Sequence, residues 1–483
     1  MKKFTNDKFV HLHVHSEYSS FDGLSKISEV NIKSADDNLV LTARKMGFPA
    51  LALTDHGNIG GFIKFINACS AKKDKNGEDI PFPSIKPILG CEMYLCRNHK
   101  WKSKEKAVEA DGHFQSDGKK GNRHLNLYAL NWEGYQNLST LCYDSYVDGL
   151  SFGNPRVDIE QVAAHSKGLM CGSACLSNVI NANLLNDRYD EAKKAASVFK
   201  DIFGENFFLE IMYHGIAAQK YVIPDILKIA SELDIPVAAT NDVHYTHKRQ
   251  AKSHEVWMAS GTQRCLPDPK HLKFPYPEMY LKSAEEMGKI FGSTPQVMDN
   301  TLILSERVNT DEIKEHLFGG MRLPKFELPE GFDDPMKFLI HLAKVGMKRI
   351  GWDNSRPHVD ALKKELQDIQ VAKDNNDYDF ATYFLIVNDY IQFARDQGIV
   401  VGAGRGSGYA SILLRALGIT YGPDPLEYGL LWERFLGFDS RRFILPKDFG
   451  FPEKITTEKI MAQMEVAEDS REIDNDLGGI DRY

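Results

Sequence analysis

The 483-residue sequence carries 59 Lys and Arg against 67 Asp and Glu, a formal net charge of -8, and 42% of its residues are apolar. That length exceeds one ordinary hydrophobic core and predicts two or three domains, while the acidic balance excludes a basic coat, so any contact with DNA must come from local basic patches. No apolar run approaches the roughly 20 residues that cross a bilayer, the polar start lacks a signal-peptide core, and the 7 cysteines show no CxxC pairing, which together predict a cytoplasmic protein with reduced thiols.

The chain opens on the alternating run from Phe9 to His15. Residues two apart on a strand share a face, so His11, His13 and His15 are predicted to form one row of imidazoles while Val10, Leu12 and Val14 face an apolar layer. Imidazoles at that spacing suit a borderline divalent ion such as zinc. A half-exposed polar strand face is the alternative. Up to residue 290, short apolar strands then alternate with helical stretches. Pro49 to Thr54 runs into Asp55-His56-Gly57-Asn58, and Ile85 to Gly90 runs into Cys91-Glu92. His124 opens a strand to Leu130, and Gly168 to Ser173 ends near Cys175. Asn206 to Glu210 is followed by His214, and Ile235 to Thr240 by Asn241-Asp242-Val243-His244. Nearly every strand carries a His, Asp, Glu or Cys close to one end. In a closed α/β barrel the carboxyl ends of parallel strands converge on one rim, which would make these residues neighbours.

The segment from Arg97 to Arg123 interrupts the rhythm with Arg97, Lys100, Lys102, Lys104, Lys106, Lys119, Lys120 and Arg123. It reads as an exposed loop, either simply solvated or touching a phosphate backbone. Residues 291–375 read as connector and support, with helical stretches from Asp334 to Ile350 and from His358 to Lys373. In residues 376–452, a helical Tyr383 to Ala394 and a short strand Gly398 to Val401 lead into Gly402-Ala403-Gly404-Arg405-Gly406-Ser407-Gly408, then a helix from Tyr409 to Leu417. Strand, glycine turn and helix make a phosphate-binding arrangement, because bare backbone N–H groups approach the anion and the helix start adds positive potential. Arg405 would pair with phosphate oxygens. The Walker spacing is absent, and a structural glycine turn is the alternative. The acidic stretch 453–483 reads as a partly helical, partly disordered, solvated tail.

Two sets of motifs resemble one family. His13-x-His15-Ser16, Phe21-Asp22-Gly23, Thr54-Asp55-His56-Gly57-Asn58, Gly90-Cys91-Glu92, Phe208-Leu209-Glu210 and Thr240-Asn241-Asp242-Val243-His244 resemble a PHP domain, a metal-dependent phosphoesterase fold. With Tyr383-Phe-Leu-Ile-Val, Gly402-x-Gly-Arg-Gly-Ser407, Asp424-Pro-Leu-Glu427 and Glu433-Arg-Phe-Leu436, the chain to about residue 445 resembles the N-terminal part of the C-family bacterial replicative DNA polymerase, the polymerase III alpha subunit. The resemblance implies a distorted seven-stranded α/β barrel over 1–290 followed by a partial polymerase palm of α+β type. It also implies up to three divalent ions, zinc or manganese, held by His13, His15, Asp22, His56, Glu92, His124, Cys175, Asp242 and His244, with Glu92 bridging two. Asp55, Glu210 and His214 are the candidate catalytic groups. Asp55 would position its neighbours, while Glu210 and His214 would orient water or substrate or serve the structure. Gly402, Gly404, Arg405, Gly406 and Ser407 would contact a nucleotide triphosphate.

The family continues into a Pro-Asp-x-Asp signature whose aspartates hold the catalytic magnesium ions, where this sequence reads Ile444-Leu-Pro446-Lys447-Asp448. Asp448 alone cannot hold two magnesium ions. The expectation is therefore one half of a split replicative polymerase whose PHP domain performs 3′-5′ exonucleolytic proofreading. Its implied partners are primer-template DNA, a deoxynucleoside triphosphate, a second chain with the remaining palm, thumb and fingers, and other replisome subunits, with no membrane. A metal-stabilised scaffold and a stand-alone phosphoesterase on small esters are the alternatives.

Overall fold

The structure, a computed structural model, describes residues 8–28, 30–100, 122–151, 153–319, 324–376, 379–404 and 406–436. Lys102, Lys104, Lys106, Lys119, Lys120, Arg405, Asp448 and the tail 453–483 lie outside the described residues. The chain divides into two compact units, Met1–Gly319 and Gly320–Tyr483. Among the described residues no helix is long and apolar enough to cross a membrane.

Among the described residues of the first unit, seven strands form one curled mixed sheet: β1 (Ala50–His56), β2 (Lys86–Leu95), β3 (Arg123–Ala129), β4 (Arg156–Val157), β5 (Leu169–Gly172), β6 (Phe207–Ile211) and β7 (Val237–Ala239). Their order is β1-β2-β3-β5-β6-β7, with β4 paired to β2. β3 runs antiparallel to both β2 and β5, and the other pairings are parallel. The opening segment joins the two sheet edges: His11 bridges Leu51, Val14 bridges Val243, and the His15 amide donates to the Val243 carbonyl at 2.7 Å.

That segment is not the regular strand the alternation predicts. Val10 and Leu12 pack inside the curl with Ala50, Ala52, Tyr128 and Phe208, yet Val14 joins Phe9, Leu51 and Leu53 in the outer core. The chain bends at His13, and the side-chain phase changes there. His11 is therefore separated from His13 and His15. Its Nε2 donates to the Lys282 carbonyl at 2.8 Å, its ring meets Phe9 and Phe48 edge-on, and burial holds its pKa down to about 4.

Helices cover the sheet's outer face because their apolar residues recur at helical spacing, as in Tyr189–Phe203, which buries Ala192, Ala195, Ala196, Phe199 and Phe203. The first unit continues past residue 290. Leu304 and Val308 fill the inner apolar cluster, the Val10 amide donates to Thr301 Oγ1 at 3.2 Å, and Thr310 Oγ1 donates to the Pro87 carbonyl at 2.7 Å.

The described residues of the second unit are helices and turns around a core of Leu339, Ala343, Phe384, Leu385, Leu413 and Ala416. Gly398 to Val401 is not a strand: it finds no strand to pair with among the described residues, and Val400 is 94% exposed. The helix after the glycine turn runs only over Ile412–Leu417. Its start is already held by a buried carboxylate. Glu365 accepts from the Ile412 and Leu413 amides at 2.7 and 2.9 Å and from Ser411 Oγ at 2.7 Å. The positive helix end that the phosphate reading counts on is thus satisfied from within, while Gly402 and Gly406 face open space.

Candidate metal centre

The rim of the curled sheet collects His56 at the end of β1, Glu92 within β2, His124 at the start of β3, Cys175 just past β5, and Asp242 and His244 beyond β7. His124 opens its strand because β3 is antiparallel, which brings its amino end to the rim that its neighbours reach with their carboxyl ends. Glu92 lies at the middle. Its Oε1 is 2.9 Å from His124 Nδ1 and 3.5 Å from His13 Nε2, and its Oε2 is 2.9 Å from His56 Nδ1 and 3.2 Å from His15 Nε2. Asp242 Oδ1 lies 3.2 Å from Nε2 of both His13 and His15. Asp22 Oδ2 lies 3.2 Å from His56 Nε2 and 3.8 Å from His244 Nε2, and Cys175 Sγ is 3.4 Å from His124 Nδ1. All nine residues named as ligands from the sequence are therefore in one cluster. Asp242 reaches it from the left-handed backbone region, φ 44°, which Asp tolerates better than most residues.

The cluster fits cations. His13 Nε2, His15 Nε2, His56 Nδ1, Asp22 Oδ1, Glu92 Oε2 and Asp242 Oδ1 are buried without a hydrogen-bond partner, although several approach one another closely. Each such buried orphan costs about 1–3 kcal/mol unless something satisfies it. Three sets of ligand atoms lie close enough to share an ion: His13, His15 and Asp242; His15, His56 and His244; and His56, Glu92 and His124. Burial alone would push the carboxyls of Glu92 and Asp22 up, but the imidazoles around them, His124 and His56 foremost, hold both well below the usual carboxylate range. Burial likewise opposes charge on His13 and His56, yet the facing carboxylates raise both well above an ordinary imidazole. The field that attracts protons to these rings attracts a metal cation equally.

The outer partners of the cluster set its tautomers. His13 Nδ1 donates to Glu210 Oε2 at 2.9 Å, leaving Nε2 to face Glu92 and Asp242. Glu210 Oε1 accepts from Asn126 Nδ2 at 2.8 Å and from the Ala174 amide at 2.9 Å. His15 Nδ1 donates to Ser19 Oγ at 3.1 Å, and that hydroxyl donates to Asp55 Oδ1 at 2.7 Å. Asp55 also accepts from the Ser16 amide and hydroxyl at 2.7 and 2.8 Å. Glu210 thus touches the His13 ring, whereas Asp55 touches serine hydroxyls and backbone and reaches the His15 ring only through Ser19, the kind of outer contact that orients a ligand ring. His214 does not face that space either. Its Nε2 donates to the Asn241 carbonyl at 3.1 Å, its Nδ1 accepts from Gln219 at 3.0 Å, and burial lowers its pKa to about 4. Both ring nitrogens being taken, it has none left to orient water or substrate.

Sequence reasoning passes over Asn126, Ser19 and His254. The last reads as an ordinary histidine, yet its Nε2 donates to the Asp22 carbonyl at 2.6 Å and its ring stacks on Phe274. No local pattern marks any of the three, because each matters only through a partner distant in sequence.

Residues 11–214 match the PHP domain family, and residues 337–446 match the bacterial DNA polymerase III alpha NTPase domain. The curled sheet with its rim of imidazoles and carboxylates is thus a PHP domain. The chain is 38% identical over 429 residues to the DNA polymerase III subunit alpha of Borreliella burgdorferi, covering 89% of this chain and 34% of that one. It is 36% identical over 434 residues to the same subunit of Treponema pallidum, with 89% and 33% covered, and 34% identical over 459 residues to that of Campylobacter jejuni, with 89% and 35% covered. The chain spans about a third of the length of these relatives, and over that third it is a homologue of DNA polymerase III subunit alpha.

Proposed function

We propose that this chain serves DNA replication as part of a polymerase III alpha-type enzyme, and that its PHP domain hydrolyses phosphodiesters at a primer 3′ end as a 3′-5′ proofreading exonuclease. The observation that carries this reading is the convergence of buried, unpaired imidazole and carboxylate lone pairs on one rim. A donor set rich in imidazole with one thiol suits zinc better than calcium or magnesium, the carboxylates among the nine ligands also admit manganese, and nine ligands accommodate up to three ions. When bound, such ions supply Lewis-acid stabilisation to an in-line displacement at phosphorus. Glu92 serves two ligand groups with its two oxygens, Glu210 keeps the His13 proton on Nδ1, and Asp55 acting through Ser19 does the same for His15.

The polymerase side of the reading gives Gly402, Gly404, Arg405, Gly406 and Ser407 contact with a deoxynucleoside triphosphate, through the open loop rather than through the helix start that Glu365 holds. Primer-template DNA, magnesium, other replisome subunits and a cytoplasmic site of action belong to the same proposal. Polymerisation is proposed only for the assembled enzyme, whether the remaining palm, thumb and fingers lie on this chain or on a second one.

The test is release of a nucleoside monophosphate from a mispaired 3′ primer by the full chain with manganese. Activity that falls at least about a hundredfold in Asp242→Ala and His13→Ala supports the reading, since removing a ligand forfeits most of the site. A chain that binds metal yet leaves mispaired primers intact would instead be a scaffold. Hydrolysis of simple phosphomonoesters but not primer ends would make it a small-ester phosphatase.

A further inference from the structure

Asp242 and His244 reach the cluster from the turn that follows β7, and that turn is gripped from one side. Asn241, which precedes the left-handed Asp242, is 1% exposed and bonded through every polar group of its side chain. Its Nδ2 donates to the carbonyls of Glu278 and Tyr280 at 3.0 and 2.8 Å, and its Oδ1 accepts from Lys282 Nζ at 3.1 Å. The same segment runs beside the turn: the His244 amide donates to the Met279 carbonyl at 2.8 Å, and Tyr245 bridges Tyr280. Lys282 is 2% exposed, an unusual place for an ammonium group. Its Nζ also bonds the Glu278 carbonyl, pairs with Glu278 Oε2 at 3.2 Å, and lies 4.4 Å from the centre of the Tyr280 ring. A buried charge with this many partners sets one geometry and penalises others, because any shift of Asn241 takes away one of the three acceptors around the ammonium.

We infer that Lys282 is a positioning residue for the metal site: through Asn241 it fixes the strained turn that presents Asp242 and His244. This rests on the metal-binding reading above but not on nuclease activity. Lys282 touches neither a ligand residue's side chain nor the space between the ligands. Its ammonium is matched by Glu278, so what its loss changes is the placement of Asn241. The residue lies 41 positions beyond Asn241 and outside the region matched to the PHP family.

The test is manganese titration of the full chain, followed by calorimetry and by the electron paramagnetic resonance signal of bound manganese. Lys282→Met keeps the apolar stem and removes the donor. It is expected to weaken manganese binding at one class of sites about tenfold or more and to alter the bound-manganese signal, while circular dichroism stays that of the unaltered protein. Glu278→Gln leaves the Lys282 to Asn241 bond in place and is expected to bind manganese normally. Should Lys282→Met not fold, Asn241→Ala carries the test by deleting the same bond from its other end. The double variant is expected to lose no more affinity than the worse single variant, since the two residues act as one unit. Unchanged affinity in both single variants, or strictly additive losses, would overturn the inference. An unaltered chain that binds no manganese would overturn both this inference and the metal reading beneath it.

Discussion

Replacing Glu210 by Gln changes one atom in a buried network and tests whether the outer partners of the cluster matter. Glu210 is 1% exposed, and its two oxygens face different neighbours: Oε1 faces two donors, Asn126 Nδ2 and the Ala174 amide, while Oε2 faces His13 Nδ1. In Glu210→Gln the amide oxygen must stay toward the two donors, because the flipped rotamer would set an NH2 group against both of them. The NH2 then faces His13 Nδ1 and can only donate to it. His13 is forced to carry its proton on Nε2, the atom that lies 3.2 Å from Asp242 Oδ1 and 3.5 Å from Glu92 Oε1. One of the clustered lone pairs is thereby blocked without a change of shape. Loss of an orienting partner of this kind costs about ten- to a hundredfold in metal affinity, roughly 1.4–2.7 kcal/mol. Isothermal titration with manganese against a competing chelator measures it, with urea unfolding as the control for fold. Equal affinity and stoichiometry in Glu210→Gln and the unaltered protein would refute the argument that Glu210 sets the His13 tautomer.

Asp55→Ala strands the Ser16 amide and the two serine hydroxyls in a buried place and is expected to lower stability by roughly 2–4 kcal/mol, read from the urea midpoint. In Gly23→Ala the new Cβ would stand 1.9 Å from the Ser16 carbonyl oxygen, so the turn must move and take Asp22 with it, and metal stoichiometry by mass spectrometry is expected to fall. For Glu365, burial lifts the carboxyl from 4.5 to about 7 against the lowering effect of the Leu413 and Ile412 amides and Ser411. The folded chain then holds more protons than the unfolded one between those values. The stability this group contributes is full below pH 4.5 and falls as pH rises through 7, by about 3 kcal/mol in all. Unfolding measured from pH 4.5 to 8 in the protein and in Glu365→Gln checks it, the variant being expected to show the smaller slope.

The clustering of the proposed metal-site residues was largely legible because most of them sit at or near strand ends, where short apolar runs stop at a His, Asp, Glu or Cys, and the motif match supplies the rest. His11 shows the limit of that reasoning. Perfect alternation around His13 puts it with His13 and His15, but a bend changes the phase, and the bend is set by pairing to two edges, Leu51 and Val243, that lie far along the chain. The run Gly398 to Val401 fails in the opposite way: its β-branched residues have strand character, yet a strand exists only where a partner backbone is available. β4, two residues long, leaves no apolar run to see. The helix start beyond the glycine turn, expected at Tyr409 and observed at Ile412, looked free for phosphate because nothing in the local sequence reveals that Glu365, some fifty positions earlier, would reach it. Asn126, His254 and Lys282 are hidden for the same reason, since their meaning lies wholly in tertiary partners.

Anomalous scattering from crystals of the full chain grown with manganese addresses the metal centre directly. One to three manganese peaks are expected among His13, His15, Asp22, His56, Glu92, His124, Cys175, Asp242 and His244, with those side chains as ligands. Strong peaks elsewhere and none in this cluster, at saturating manganese, would contradict it.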